Sequence, residues 1–300
     1  MKLTGIHILL TYQCNLECDH CFVWGSQWQT GTMTLPQLRN VLQQAKDLGT
    51  VGMVYFEGGE PTLYYAAMLK GVQEAAAKGF DVGIVTNGYW AVSEEDALAY
   101  LEPFRGLVQD LSISSDTYHW FEELGENVKH IEKVADELDI PIGVISIAQP
   151  EDVNAASVVG TLPPGESGIM YRGRAAVTLA RKADKHPWKQ FTECPYEDLV
   201  EPGRIHLDPL GYLHICQGIS IGNLFETPLR DITTQYDPEA HPLVGPLLDE
   251  GPVGLVKRYD LPHEEAYADA CHLCYEMRLA LRERFPEVLT PDQMYGVVGE

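Results

Sequence analysis

Basic residues are scarce in this sequence. Its 300 residues carry 21 lysines and arginines against 44 aspartates and glutamates, a formal net charge of −23 with histidine neutral. A nucleic-acid backbone or an anionic membrane surface needs a basic face, so neither is expected as a partner. Long apolar runs are missing too, and no stretch approaches the roughly twenty residues of a bilayer span. The apolar part of MKLTGIHILLTYQC is too short for a secretory leader and has no small-residue cleavage site, so a cytoplasmic protein is expected. Repeats, low-complexity tracts and long flexible linkers are absent. Cysteines are few, seven in all. An odd number at short spacings, in a chain expected to be cytoplasmic, points to metal ligation rather than disulfides.

What is present is an ordinary globular balance, 45% hydrophobic and 22% charged, which allows a packed core. The first two-thirds alternates strand-like runs with helical patterns. Strands are expected at Ile6–Thr11, Val51–Phe56, Asp81–Thr86, Asp110–Ser114, Ile142–Ser146 and Gly168–Tyr171. Thr34, followed by Leu35 and Pro36, reads as a helix N-cap, and Ser93 with Asp96 as a capping box. From Phe121, apolar Leu124, Val128, Ile131, Val134 and Leu138 recur at helical spacing. Six βα repeats argue for an α/β fold with a parallel sheet, and six is too few for a closed eight-fold barrel. A partial (β/α)6 TIM-like barrel is therefore expected over 1–190. Short Pro/Gly-punctuated strands then imply a small domain over 191–275, and a helix and tail complete 276–300.

The chemistry begins at LLTYQCNLECDHCFVWGS. Cys14, Cys18 and Cys21 stand at C-x3-C-x2-C spacing, directly after the first expected strand. Three thiolates can hold three corners of an iron–sulfur cubane and leave one iron open. A zinc loop borrowing a fourth ligand from elsewhere is the alternative. Polar groups recur at later strand ends: Gly58, Gly59, Glu60 and Pro61 after the second, Asn87 after the third, Ser114 and Asp116 after the fourth. In parallel βα architectures that end carries the active site.

The cysteine loop together with the GGEP stretch resembles the signature of the radical S-adenosylmethionine (SAM) superfamily, over residues 1 to about 175. The resemblance implies a [4Fe–4S] cluster on Cys14, Cys18 and Cys21, with SAM's amino and carboxylate groups on the open iron. It implies that GGEP holds the methionyl ammonium and that strand-four polar residues hold the ribose. His20 takes the place of the aromatic residue common before the third cysteine. Reductive cleavage of SAM would give a 5′-deoxyadenosyl radical that abstracts hydrogen from a substrate.

Four cysteines remain: Cys194, Cys216, Cys271 and Cys274. Their spacing, with Gly211 and the following GNL at Gly222–Leu224, resembles a truncated SPASM (twitch-like) auxiliary domain, which implies a second [4Fe–4S] cluster. Zinc stays open as a competitor. The cysteine plan is similar to that of the aminocyclitol dehydrogenases of butirosin biosynthesis. The expected activity is thus a two-electron oxidation of a small molecule, with an electron passed to the auxiliary cluster and a flavodoxin or ferredoxin as electron donor. Modification of a peptide or protein side chain, redox-neutral epimerase or mutase chemistry, and a non-catalytic zinc scaffold are the alternatives. Arg172 and Arg174, at the end of the sixth expected strand, are candidates for pairing with the SAM carboxylate or an anionic substrate, or for a part in proton transfer. Tyr12, Trp24, Trp28 and Tyr64 are candidates for pocket walls. His206, His214 and His272 read as hydrogen-bonded or exposed rather than as ligands.

Overall fold

The computed structural model describes residues 1–119, 122–159, 162 and 165–298. Its centre is β1 (Leu3–Thr11), eight of whose nine residues are buried, as befits a strand covered on both faces. In chain order follow α1 (Leu35–Leu48), β2 (Met53–Gly58), α2 (Tyr65–Ala77), β3 (Asp81–Thr86), α3 (Glu94–Leu101), β4 (Asp110–Ser114), α4 (Glu122–Glu137), β5 (Ile142–Ile145) and α5 (Pro150–Val159). The strands β1 to β5 pair in parallel with their sequence neighbours, and the helices pack outside. Both expected caps are present. Thr34 and Gln37 form a reciprocal capping box on α1, and Ser93 Oγ accepts from Asp96 N at 3.1 Å on α3. Phe121 and the Leu124 side chain, where the α4 pattern begins, lie outside the described residues; Val128, Ile131, Val134 and Leu138 are buried.

The sixth expected strand does not form. Ser167 makes one isolated bridge to Ile147, and 168–171 has no ladder. Ile169 and Tyr171 are buried instead in a small cluster with Ala175 of α6 (Arg174–Thr178) and Leu179 just after it. The partial barrel therefore has five parallel strands of its own.

The appended segment extends the same sheet. After the two-residue β6 (His186–Pro187), β7 (Gly203–Leu207) pairs in parallel with the free edge of β1, and β8 (Tyr212–Cys216) and β9 (Ile219–Asn223) follow antiparallel. The sheet order is β5-β4-β3-β2-β1-β7-β8-β9. Next come α7 (Leu229–Gln235) and α8 (Val244–Tyr259), the latter broken at Glu250–Gly251. The short β10 (Ala266–Tyr267) pairs with β6, and α9 (Ala270–Leu281) closes the unit. The boundary expected after residue 275 falls inside α9. Two main cores result. Ile6, Ile8 and Leu10 of β1 pack under α1 and α2, while Leu9 joins Ile215, Val253, Leu273 and Leu281 of the appended unit. Among the described residues no helix is long and apolar enough to cross a membrane.

Candidate active site

A barrel interior is ordinarily filled by branched apolar side chains. Here Gly5, His7, Tyr55, Glu57, Asp110 and Ser112 face inward from β1, β2 and β4, and they border a cavity of about 1070 Å³. Cys14, Cys18 and Cys21 lie in its wall, in the loop that leaves β1.

Backbone contacts fix that loop. Leu16 N and Gly25 N donate to the sulfurs of Cys14 (3.4 Å) and Cys21 (3.2 Å). Arg174 braces the far side, donating to Cys18 O and Gly25 O, each at 2.8 Å, with its guanidinium over the Trp24 ring. It does not line the cavity, so this candidate for chemistry is a strut instead. The paired glycines allow the loop to cross β2. Gly58 has φ +148°, and a Cβ on Gly59 would stand 2.1 Å from Gln13 O.

Glu60 is buried in the cavity wall. Its Oε1 accepts from Thr62 N, Thr62 Oγ1 and Thr86 Oγ1, while Oε2 accepts only from Asn87 N at 2.8 Å. Burial lifts its pKa against the hydrogen bonds it accepts. Oε2 therefore keeps the lone pair that a cationic ligand would meet. Pro61 opens the short helical turn after Glu60 and stays out of the cavity. Asn87 Nδ2 is spent on Asn15 Oδ1 (2.9 Å) and Cys14 Sγ (3.8 Å), holding the cysteine loop to β3. Ser114 faces the cavity. Asp116 lies behind it, taking a 2.7 Å bond with His119 Nδ1 and a 3.2 Å bond from Ile147 N. Burial alone would raise its pKa; the His119 bond holds it below the usual range. His20 lines the cavity beside the Tyr118 ring, neutral because burial brings its pKa to about 4.

The four aromatic candidates do not wall the cavity. Tyr12 is buried on Asp208 (2.7 Å), Trp24 Nε1 donates to Tyr275 Oη, Trp28 is exposed and Tyr64 is tied to Gln13.

Cys194, Cys216, Cys271 and Cys274 line one second, small cavity. Cys271 and Cys274 stand one turn apart at the start of α9, whose N-cap Asp269 accepts from His272 N at 2.7 Å. Two buried arginines share this cavity. Arg172 Nη1 donates to Glu197 Oε1 at 2.8 Å and lies 3.6 Å from Cys216 Sγ. Arg278 donates to Gln217 O, and its Nε has no hydrogen-bond partner. The sequence showed Arg278 only as one of several basic residues on a terminal helix. The Arg172–Glu197 pair lines both cavities and so divides them.

Both cysteine sets fit iron–sulfur clusters. Burial pushes Cys14 and Cys274 up to about 12, so without metal their thiols hold their protons. Tetrahedral zinc, with Zn–S about 2.3 Å, draws its sulfurs to about 3.8 Å of one another. Among the described residues no three cysteine sulfurs lie within 4.8 Å, so neither set is drawn in around a single ion.

Two other clusters do converge that closely: His20–Asp116–His119 and His7–Glu57–His206. The second went unnoticed in the sequence because His7 sits inside an apolar strand and its partners are 50 and 199 residues away. Inward-facing register was the signal that could have found it: β1 sets His7 beside Tyr55 of β2 and beside His206 of β7.

Residues 8–141 match the family model of the radical SAM superfamily. That segment is a radical SAM domain. A Bacillus subtilis (strain 168) protein, YydG, whose name assigns it provisionally to peptide biosynthesis, is 23% identical over 261 residues, 86% of this chain and 75% of that one. The tungsten-containing aldehyde ferredoxin oxidoreductase cofactor-modifying protein of Pyrococcus furiosus is 33% identical over 84 residues, 28% of this chain and 23% of its own. The crystal structure of BtrN in complex with AdoMet and 2-DOIA shares the fold, with TM-score 0.50 at 17% identity over 77% of this chain and 82% of that one. The cofactors of a radical SAM domain are SAM and the [4Fe–4S] cluster that binds it, and the second cysteine set suits an auxiliary [4Fe–4S] cluster.

Proposed function

We propose that this enzyme oxidises a small molecule by two electrons, within a barrel over 1–190 and an auxiliary domain over 191–275. Cys14, Cys18 and Cys21 would hold the SAM-binding cluster, and Cys194, Cys216, Cys271 and Cys274 the auxiliary one. When bound, SAM and the two clusters supply the hydrogen-abstracting radical and an electron acceptor. The chain supplies position and exclusion. Glu60 Oε2 and the backbone at Gly58 and Gly59 suit the methionyl ammonium, Ser114 the ribose and His20 the adenine side. Asn87, Asp116, Pro61 and Arg174 act on the site indirectly, by holding the loops that carry it.

One observation carries the reading: four cysteines border one cavity, and the Arg172–Glu197 pair lines both it and the main one. An electron acceptor beside the substrate chamber serves oxidation, and a redox-neutral reaction has no need of one. Arg172, neutralised by Glu197, is better suited to influence that acceptor than to take a proton. All seven cysteines fall in the two sets, so no thiol is left to quench a radical as an epimerase would require. A cytoplasmic flavodoxin or ferredoxin is the electron source that suits such chemistry. The likeness to YydG along most of the chain favours a second reading, in which the substrate is a peptide.

The test is iron and sulfide per chain after oxygen-free reconstitution, followed by reduction with dithionite in the presence of SAM. About eight of each, with 5′-deoxyadenosine formed, is expected. About four irons and one zinc would leave no built-in acceptor and overturn the oxidation.

A further inference from the structure

We propose that His7, Glu57 and His206 form a site for one divalent transition-metal cation, inside the barrel and apart from both cysteine sets. His7 Nδ1 lies 3.1 Å from Glu57 Oε2, and His206 Nε2 lies 3.3 Å from Glu57 Oε1. One donor atom from each residue falls within 4.8 Å of the other two. The sheet imposes this. The β1–β7 register sets His7 beside His206, and Glu57 stands two residues beyond the β2 partner of His7 on the same inward face.

The geometry between Glu57 and His206 is that of two ligands rather than of donor and acceptor. Glu57 Oε1 is buried and accepts no hydrogen bond, although an imidazole nitrogen stands 3.3 Å away. That close contact without a hydrogen bond leaves Glu57 Oε1 available to a third partner. Two imidazoles and one carboxylate are a donor set for zinc, iron(II) or manganese, and three protein ligands on one face leave coordination positions open. Here those positions face the cavity, which all three residues line. Neighbours hold the rings in place: Tyr55 stacks on His7 with centroids 4.6 Å apart, and the Gln217 amide nitrogen lies 3.4 Å from His206 Nδ1 and 3.5 Å from its Nε2, a contact the metal would displace. Of the nearby cations, Arg172 is paired with Glu197, and Arg204 borders the same cavity with its side chain largely in solvent. A cation held here would take, at its open positions, a ligand carrying a hydroxyl, carboxylate or amine.

The site uses no cysteine, so its test is independent of the proposed reaction. Chelator-washed, cluster-loaded enzyme would be titrated with Mn²⁺, which thiolates bind poorly, and free Mn²⁺ counted from its six-line EPR signal. One Mn²⁺ per chain is expected. Binding should weaken at least about tenfold in Glu57→Gln and in His206→Asn, with iron content unchanged as the check on folding. No binding by the wild-type enzyme at millimolar Mn²⁺, or equal binding by a variant that keeps its iron, would overturn the proposal and leave the three residues as a hydrogen-bonded unit.

Discussion

Arg172 donates to Cys216 Sγ across 3.6 Å while its ion-pair partner, Glu197, faces the main cavity as well. Burial alone would lower its pKa, but the cysteines around it and Glu197 raise it, so the guanidinium is permanently charged. A positive charge this close stabilises added negative charge on the cysteine set. With effective dielectric near 20, a unit charge at a few ångströms is worth about 4 kcal/mol before Glu197 offsets part of it. Arg172→Met is therefore expected to lower the auxiliary reduction potential by on the order of 100 mV. A redox titration followed by EPR measures it, and an unmoved potential would show that the arginine serves packing alone.

The two cysteine sets should fail differently. Cys18→Ala is expected to lose about four irons and all SAM cleavage. Cys271→Ala should lose a similar number yet still form 5′-deoxyadenosine, uncoupled from substrate oxidation. An unchanged iron count in Cys271→Ala would show that the second set holds no cluster.

Much of this site could be read in the chain because its chemistry sits at strand ends, where sequence signals are local. The C-x3-C-x2-C loop, the glycine pair and the caps at Thr34 and Ser93 each depend on neighbours within a few residues. What depended on distant pairing was missed. Ile169 and Tyr171 look like strand residues because they are buried, but burial fits a pleated surface and an irregular cluster equally. The edge beside β1 is taken by β7, about two hundred residues on, and no local pattern announces that pairing. His7 and Arg278 were overlooked for the same reason: one lies in an apolar run, the other on a helix with other arginines, and both gain meaning only from partners brought by the fold.

Gly59 offers a steric test of how the loop is held. A Cβ there would lie 2.1 Å from Gln13 O and 2.7 Å from Tyr12 O, both backbone atoms of the segment that carries Cys14. Neither can move without displacing the loop. Gly59→Ala is expected to cost about 2–4 kcal/mol of stability and to lose the iron of the first set while keeping that of the second. Melting temperature and iron content together check this. Full iron with an unchanged melting temperature would mean that the crossing is looser than the contact distances imply.

His241 gives the molecule a pH dependence that lies away from either cysteine set. Its Nδ1 accepts from Leu243 N (3.2 Å) and Val244 N (3.1 Å), capping backbone donors where α8 begins. Burial holds its pKa below the ordinary value, against a smaller opposing contact with Ser220 O. A neutral ring is what the cap requires, because a protonated Nδ1 has no lone pair to offer. The unfolded chain takes up the proton first as pH falls, since its histidine keeps a pKa of about 6.5. The contribution to stability is thus complete above that pH and is lost as pH drops through the folded value. Melting temperatures at about pH 7.5 and 5.5 should therefore fall with acid in the wild-type enzyme. In His241→Asn the amide oxygen can accept the same backbone donors without titrating, so its fall should be smaller. Equal falls in the two proteins would assign the acid sensitivity to other buried histidines, His20, His206 and His272 among them, whose pKa values burial also depresses.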